Sequence, residues 1–322
     1  MKKIIALGIV VALVVLAYGG VWLWAAGQVT AHVQALATAD GETTPRLACE
    51  SLGVGGFPFS FDVTCTNATI ESGDVTVTVA GLKATAEVYR PTHVLAFAQA
   101  PVRISDAFTG SSSRIDFDSL AASARLEGWR IARVSLVAEA PVLTDTVLDD
   151  WVIAKASRAE AHLVDEPDRH DAGLGLATLA QYLKLEGLEA PVWSITGGTA
   201  TAEAEITNVP DDVRSYGDAD LLRRWQAAGG RYLLTSLTGS DAAGAFDVTG
   251  TLGLDSTGRA EGQVHLHSTG MVERLGPLLP PEYKGWIVGT QAADGSYSQA
   301  LNIRAGVVFA GLLPVGVIPP LF

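Results

Sequence analysis

The sequence predicts a mainly β protein. The expected architecture is a long curved antiparallel sheet, half-barrel-like, with two similar halves as one arrangement, a few short helices, and one N-terminal transmembrane helix in front. Three observations carry this expectation. Residues 4–26 run for 23 positions without a charge. Beyond them, short segments rich in β-branched residues alternate apolar with polar side chains, between Gly, Pro and Asp punctuation at roughly 8–12-residue spacing. Charged residues are 18% and hydrophobic ones 48%, so a substantial core can be buried and disorder is not supported.

The apolar run comes first. As a helix its residues would span roughly 35 Å, against a hydrocarbon core of about 30 Å. Lys2 and Lys3 precede it, and Trp22 and Trp24 read as an interfacial belt at its far end. A cleaved signal peptide needs a shorter apolar core and an accessible small-x-small site. Here bulky Trp22 and Trp24 crowd Ala25-Ala26-Gly27, so an uncleaved signal anchor is the reading. The positive-inside rule then assigns residues 1–3 to a cytoplasmic stub, 4–26 to the transmembrane anchor and the rest to the exported side. Val29, Val33 and Leu36 continue at i, i+4 and i+7, which makes residues 27–44 a juxtamembrane helical stalk, stopped near Gly41 and Pro45. Residues 45–322 form the exported β-rich domain.

The net charge is −13, and removing the two positive charges of Lys2 and Lys3 leaves −15 on the exported part. Such a surface excludes nucleic acid as a partner and does not cling to anionic headgroups, so membrane contact should come from the anchor. Cys49 and Cys65 are the only two cysteines. In an oxidising compartment two such thiols pair, and a metal pair would need further soft or imidazole ligands, of which the loop between them has none.

Between the cysteines stands Gly53-Val54-Gly55-Gly56-Phe57-Pro58-Phe59-Ser60-Phe61, a glycine-bearing turn in which Pro58 denies a ladder donor. Phe59, Phe61, Val63 and Cys65 then alternate with polar residues, so Cys65 falls on the buried face of a first strand. Strand patterns follow at Val75, Val77 and Val79, at 82–89 after Gly81, at 94–97, at 100–104, at 119–128 and at 129–138. The polar stretch 165–171 reads as an exposed loop and as the midpoint between two half-sheets. Residues 173–188 fit neither helix nor strand period cleanly. Pro210, the stripe Leu221, Leu222, Trp225 and Ala228, and Gly229-Gly230 predict a helix over 211–228. Strands return at 232–237, 245–254 and 262–268, the last two joined as a hairpin through Asp255-Ser256-Thr257-Gly258. A short helix is expected over 271–279. The uncharged tail 306–322 carries Pro314, Pro319 and Pro320, which argue for a last strand and a docked apolar end, not a second span.

No nucleophile elbow, P-loop, zincin helix or CxxC pair occurs. Gly173-Leu174-Gly175-Leu176-Ala177 lacks the spacing and the βαβ context of a dinucleotide turn. His265 and His267 share one face of a strand but have no third ligand nearby. Asp149-Asp150 and Asp211-Asp212 read as solvated turn and helix-start charges, and Asn67-Ala68-Thr69 is a sequon that matters only in a eukaryotic secretory system. The expectation is a chain with no catalytic residue, no cofactor and no metal.

In order along the chain, Cys49, Gly56-Phe57-Pro58-Phe59, Cys65, then Gly250-Thr251-Leu252-Gly253-Leu254-Asp255 with Gly258-Arg259, and finally Gly311-Leu312-Leu313-Pro314-Val315-Gly316 with Pro319-Pro320-Leu321 form a recognisable series. With them the chain resembles a family of bacterial, largely alphaproteobacterial, membrane-anchored envelope proteins of unknown function. Where Arg often follows the Phe-Pro-Phe element in that family, Ser60 stands here. The resemblance implies a single-pass protein of the bacterial inner membrane with its bulk in the periplasm, and it transfers no activity. The first functional expectation is a non-catalytic protein that binds or shields a lipid or another apolar ligand. The second is a structural or assembly factor that binds an envelope protein. An enzyme whose groups meet only on folding would leave no linear trace and stands third.

Overall fold

A computed structural model describes residues 2–42, 44–270 and 289–322. Lys2–Leu36 form one uninterrupted helix, α1. It contains no proline, and it ends where a turn over residues 37–39 leads to Gly41, whose φ is +77°. Over residues 5–16 its large apolar side chains point outward on every side, whereas Trp22 and Ala26 are buried. Its stretch Leu7–Leu36 is long and apolar enough to cross a membrane. The helical part of the expected stalk thus stops at Leu36.

All strands among the described residues belong to one antiparallel sheet. It begins with β1 (Arg46–Ala48), β2 (Ser51–Gly55), β3 (Ser60–Ser72), β4 (Val75–Glu87) and β5 (Arg90–Asp106). Then come β6 (Ser111–Asp116), β7 (Ser119–Glu127), β8 (Arg130–Glu139), β9 (Val142–Asp145), β10 (Trp151–Lys155) and β11 (Arg158–Asp165). β12 (Leu176–Ala190), β13 (Ile195–Pro210), β14 (Tyr232–Ser240), β15 (Ala245–Leu254) and β16 (Ala260–Thr269) follow. The last are β17 (Thr290–Gln291), β18 (Tyr297–Arg304), β19 (Val307–Ala310) and β20 (Leu313–Val317). Among the described residues β1 and β2 pair only with β3, and β20 only with β19, so the two ends of the sheet do not join there.

Several expectations change on this frame. The stretch 165–171 does not split the sheet. β11 and β12 pair in unbroken register from Arg158↔Glu186 to Asp165↔Leu179, so the stretch is one hairpin end, with a 3-10 turn at Pro167–Arg169. Residues 173–188 resolve as strand β12, because β11 and β13 hydrogen-bond it on both sides. The helix over 211–228 shrinks to α2 (Leu221–Ala227). Before it, Asp212 accepts the Arg214 N–H to form a 3-10 turn at Val213–Ser215, and Gly217 interrupts propagation. The tail contributes two strands, β19 and β20. Its end then docks, with the Leu321 N–H donating to the Gly258 carbonyl at 2.9 Å. The hairpin through 255–258 forms as β15–β16. The helix expected over 271–279 lies outside the described residues.

Gly81 and Ala100-Pro101 do not separate strands; they lie inside β4 and β5. Register shows why they looked like ends. Asn67 lies opposite Ala80, and Ala80 opposite Ala100-Pro101. Neighbouring lines break at the same level at Phe117-Asp118, Ala140-Pro141, Ala156-Ser157 and Gly187. A crease therefore crosses seven strand lines. Asn67, Ala140 and Gly187 take positive φ there, +46°, +49° and +60°. Extra residues of this kind bend a strand and re-aim its side chains, and proline is tolerated where no ladder donor is needed. One apolar cluster consequently spans the crease, with Cys65, Leu82 and Ala98 on one side and Ala68, Val79 and Val102 on the other.

Candidate functional site

The sequence motif and the anchor meet at one corner. Gly56 has φ +98°, and a Cβ there would lie 2.7 Å from the Ser60 carbonyl oxygen, so only glycine makes this turn without strain. The turn presents Phe57 to α1, where the Trp22 ring meets Phe57 edge-on at 5.5 Å and stacks on Phe61 at 5.4 Å. The Trp22 Nε1–H donates to the Ser60 carbonyl at 3.1 Å, and one helical turn earlier the Tyr18 hydroxyl donates to the Pro58 carbonyl. Trp22 is only 7% exposed. Trp22 is thus the residue that fastens the helix to the sheet, while Trp24 points outward. Behind this joint Cys49 and Cys65 are bridged, with Cα atoms 5.3 Å apart, which ties the β1–β2 corner to the buried face of β3.

From Phe61 the pairing defines a face, because residues directly opposite in antiparallel strands point the same way. Phe61 pairs with Ala86, then Val94, Ala124, Val134 and Leu163 follow. The next row runs from Val63 through Ala84, Ala96, Ala122, Leu136 and Ala161, and continues to Leu183, Ala202, Leu237, Val248 and Leu266. No polar side chain interrupts that second row before Gln299. Its floor is alanine-rich and it stays partly open, since Leu136 is 41% and Leu183 37% exposed. Among the described residues no large side chain is fully buried. At the end nearest α2 the face is covered, where Trp225 and Tyr216 pack on Ile131, Leu179 and Val209. Below this plug Asp165 is buried against Arg130, and burial pushes the Tyr216 hydroxyl up to about 12, with Asp211 and Asp165 adding to it.

The opposite face follows another rule. One of its rows reads Leu95, Ser123, Ser135, His162, Tyr182 and Glu203. Arg158 bridges Glu139 and Glu160, and the Arg158 hydrogen bond, aided by His162, holds the Glu160 carboxyl below its usual range. A shallow depression of about 530 Å³ carries His93 and Ser123, with Nε2 and Oγ 3.0 Å apart and Arg125 and Arg133 alongside. A serine beside a histidine invites a nucleophilic reading. Here Ser123 sits within β7, flanked by β5 and β8, so the neighbouring backbone N–H groups serve the ladder.

The residues singled out in the sequence fare differently. Cys49, Cys65 and the Gly56-Phe57-Pro58-Phe59 turn come together at the helix joint. His265 and His267 lie on the polar face, where His267 Nδ1 is 3.0 Å from the Ser298 hydroxyl. Among the described residues no group of three or more His, Cys, Asp or Glu is placed to hold a metal ion. Tyr18 and the alanine floor were missed. The Tyr18/Trp22 spacing of four, which puts both rings on one helix face, was the available signal.

A bacterial family described as an uncharacterized conserved protein, DUF2125, matches residues 22–319. The chain belongs to that family. No curated protein matches the chain. No solved structure matches it either. Membership carries no activity with it, and the N-terminal apolar helix, whose residues from 22 onward lie inside the matched region, fits a membrane-anchored protein.

Proposed function

We propose that this chain is a non-catalytic, membrane-anchored protein of the bacterial envelope that holds the acyl part of a lipid along the alanine-floored face of its sheet. The reading places the helix in the inner membrane and the sheet in the periplasm, where the Cys49–Cys65 bridge is stable. One observation carries it: the apolar face begins at Phe61, which stacks on Trp22 of the anchor, so apolar surface is continuous from the helix onto the sheet. Alanine is the fitting floor for a guest chain. A sheet packed solid against another layer would fill those rows with larger side chains, whereas methyl groups leave room above them.

The test is native mass spectrometry of the gently extracted full chain, with bound lipids identified. Lipid should accompany the parent protein and be lost when Ala122→Phe and Ala161→Phe fill the floor. A parent chain that emerges free of lipid would sink the reading. A second reading, a protein-binding assembly factor, has one observation in its favour: Phe108, Leu148, Trp151 and Trp193 are all exposed around the turns at the sheet end remote from the Gly-Phe-Pro-Phe turn. Crosslinking in cells from position 148 that captures one specific neighbour, with no lipid on the purified chain, would move the assignment to it.

A further inference from the structure

We infer that the Gly-Phe-Pro-Phe turn is a membrane wedge: Phe59, with Tyr89 beside it, enters the boundary between headgroups and acyl chains of the bilayer that α1 crosses. The inference rests on α1 being a membrane span and is independent of what the open face carries.

Helix length is the first argument. The hydrocarbon core is about 30 Å thick, which takes roughly 20 helical residues at 1.5 Å each. Counted from residue 4, just after Lys3, such a span ends near Leu23. Yet the sheet already grips the helix at Tyr18 through the Pro58 carbonyl, and at Trp22 through Phe57, Phe61 and the Ser60 carbonyl. Residues 4–17 alone would supply only about 21 Å. The turn therefore lies at a depth the helix needs for crossing, and it must share that depth with lipid.

Exposure is the second argument. Phe57 meets Tyr18 and Trp22 and still stands 54% exposed. Phe59 is 72% exposed at the tip of the turn. Next to it the Val88 N–H donates to the Phe59 carbonyl at 2.9 Å, which brings the β4–β5 hairpin and the 68% exposed Tyr89 alongside. Arg90 follows, also exposed. A phenyl ring, a tyrosine with its polar tip and an arginine with a long apolar stem are the side chains that suit this boundary. The tip of the contact is the Phe59 and Tyr89 rings, and Glu87, hydrogen-bonded to Tyr89, and Arg90 flank it with opposite charges, so the net charge of −13 does not oppose it as it would oppose binding to anionic headgroups.

The experiment uses the full chain in vesicles of phosphatidylethanolamine and phosphatidylglycerol, spin-labelled at one introduced cysteine under non-reducing conditions that keep the native bridge. Collision with oxygen, which concentrates among acyl chains, is compared with collision with a polar nickel chelate, which stays in water. Leu13→Cys reports the span, and Ser72→Cys, at the other end of β3, reports the aqueous side. Phe59→Cys should show an oxygen-to-nickel ratio several-fold above that of Ser72→Cys, with Tyr89→Cys as a second position that does not disturb the turn. Positions 59 and 89 both matching position 72, while position 13 remains among acyl chains, would overturn the wedge and leave the anchor intact. A water-like reading at position 13 would instead remove the span itself, and the wedge with it.

Discussion

Ser135 and Leu136 are neighbours in β8, yet they belong to rows with opposite logic. The row through Leu136 is apolar from Val63 to Leu266, floored with alanine and partly open. The row through Ser135 joins Ser123, His162, Tyr182 and Glu203, and the Arg158–Glu160 pair links the next two rows on that face. Both rows are built from the same alternating strands. The difference teaches that this sheet keeps its unbroken apolar rows on one side, with single apolar residues such as Leu95 and Phe97 exposed on the other, and covers those rows only in part, at α1 and under α2. Energy should therefore be concentrated where the apolar face is covered, and be sparse on the polar face.

The largest effect tests that concentration. Leu179, 3% exposed beneath Trp225 and Tyr216, should cost about 2–5 kcal/mol as Leu179→Ala, read as a lowered urea midpoint of the detergent-solubilised chain. An unchanged midpoint would mean the covered end is not the core it resembles. Next, replacing Cys49 and Cys65 together by serine opens a loop whose ends are 16 residues apart and should cost about 3 kcal/mol on the chain-entropy model. Thermal unfolding with and without reductant should show the parent, but not the double variant, losing that increment.

Tyr216 sharpens the comparison through pH. Its folded pKa is raised to about 12 from an ordinary value of 10.0, so between these values the unfolded chain loses the phenolic proton while the folded chain keeps it. Stability then falls as pH rises across that window and is unaffected by this group below it. Tyr216→Phe should flatten this part of the alkaline profile relative to the parent, followed by circular dichroism; parallel profiles would show that the hydroxyl is not held in a desolvated site. The smallest effect belongs to the polar face. Arg158→Gln breaks half-exposed pairs with Glu139 and Glu160 and should lower the urea midpoint far less than Leu179→Ala, the difference shrinking further in salt. A loss as large as that of Leu179→Ala would erase the distinction between the faces.

Much of this was legible in the chain itself. The 23 uncharged residues are a local property, and they determine the helix; alternation is also local, and it determined most strands, the hairpin at 255–258 and the inward placement of Cys65. The two cysteines with no other soft ligand near them determined the bridge. The tertiary structure decided what depends on register. A period of two says which residues share a face of one strand, but not what lies opposite. Gly81 and Pro101 could therefore look like strand ends until pairing set them in a crease shared by seven lines, and the alanines of separate strands became a floor only when register aligned them. Trp22 makes the same point. Hydropathy put it in the membrane interface, and only the fold could show that Phe57 and Phe61 were waiting for its ring.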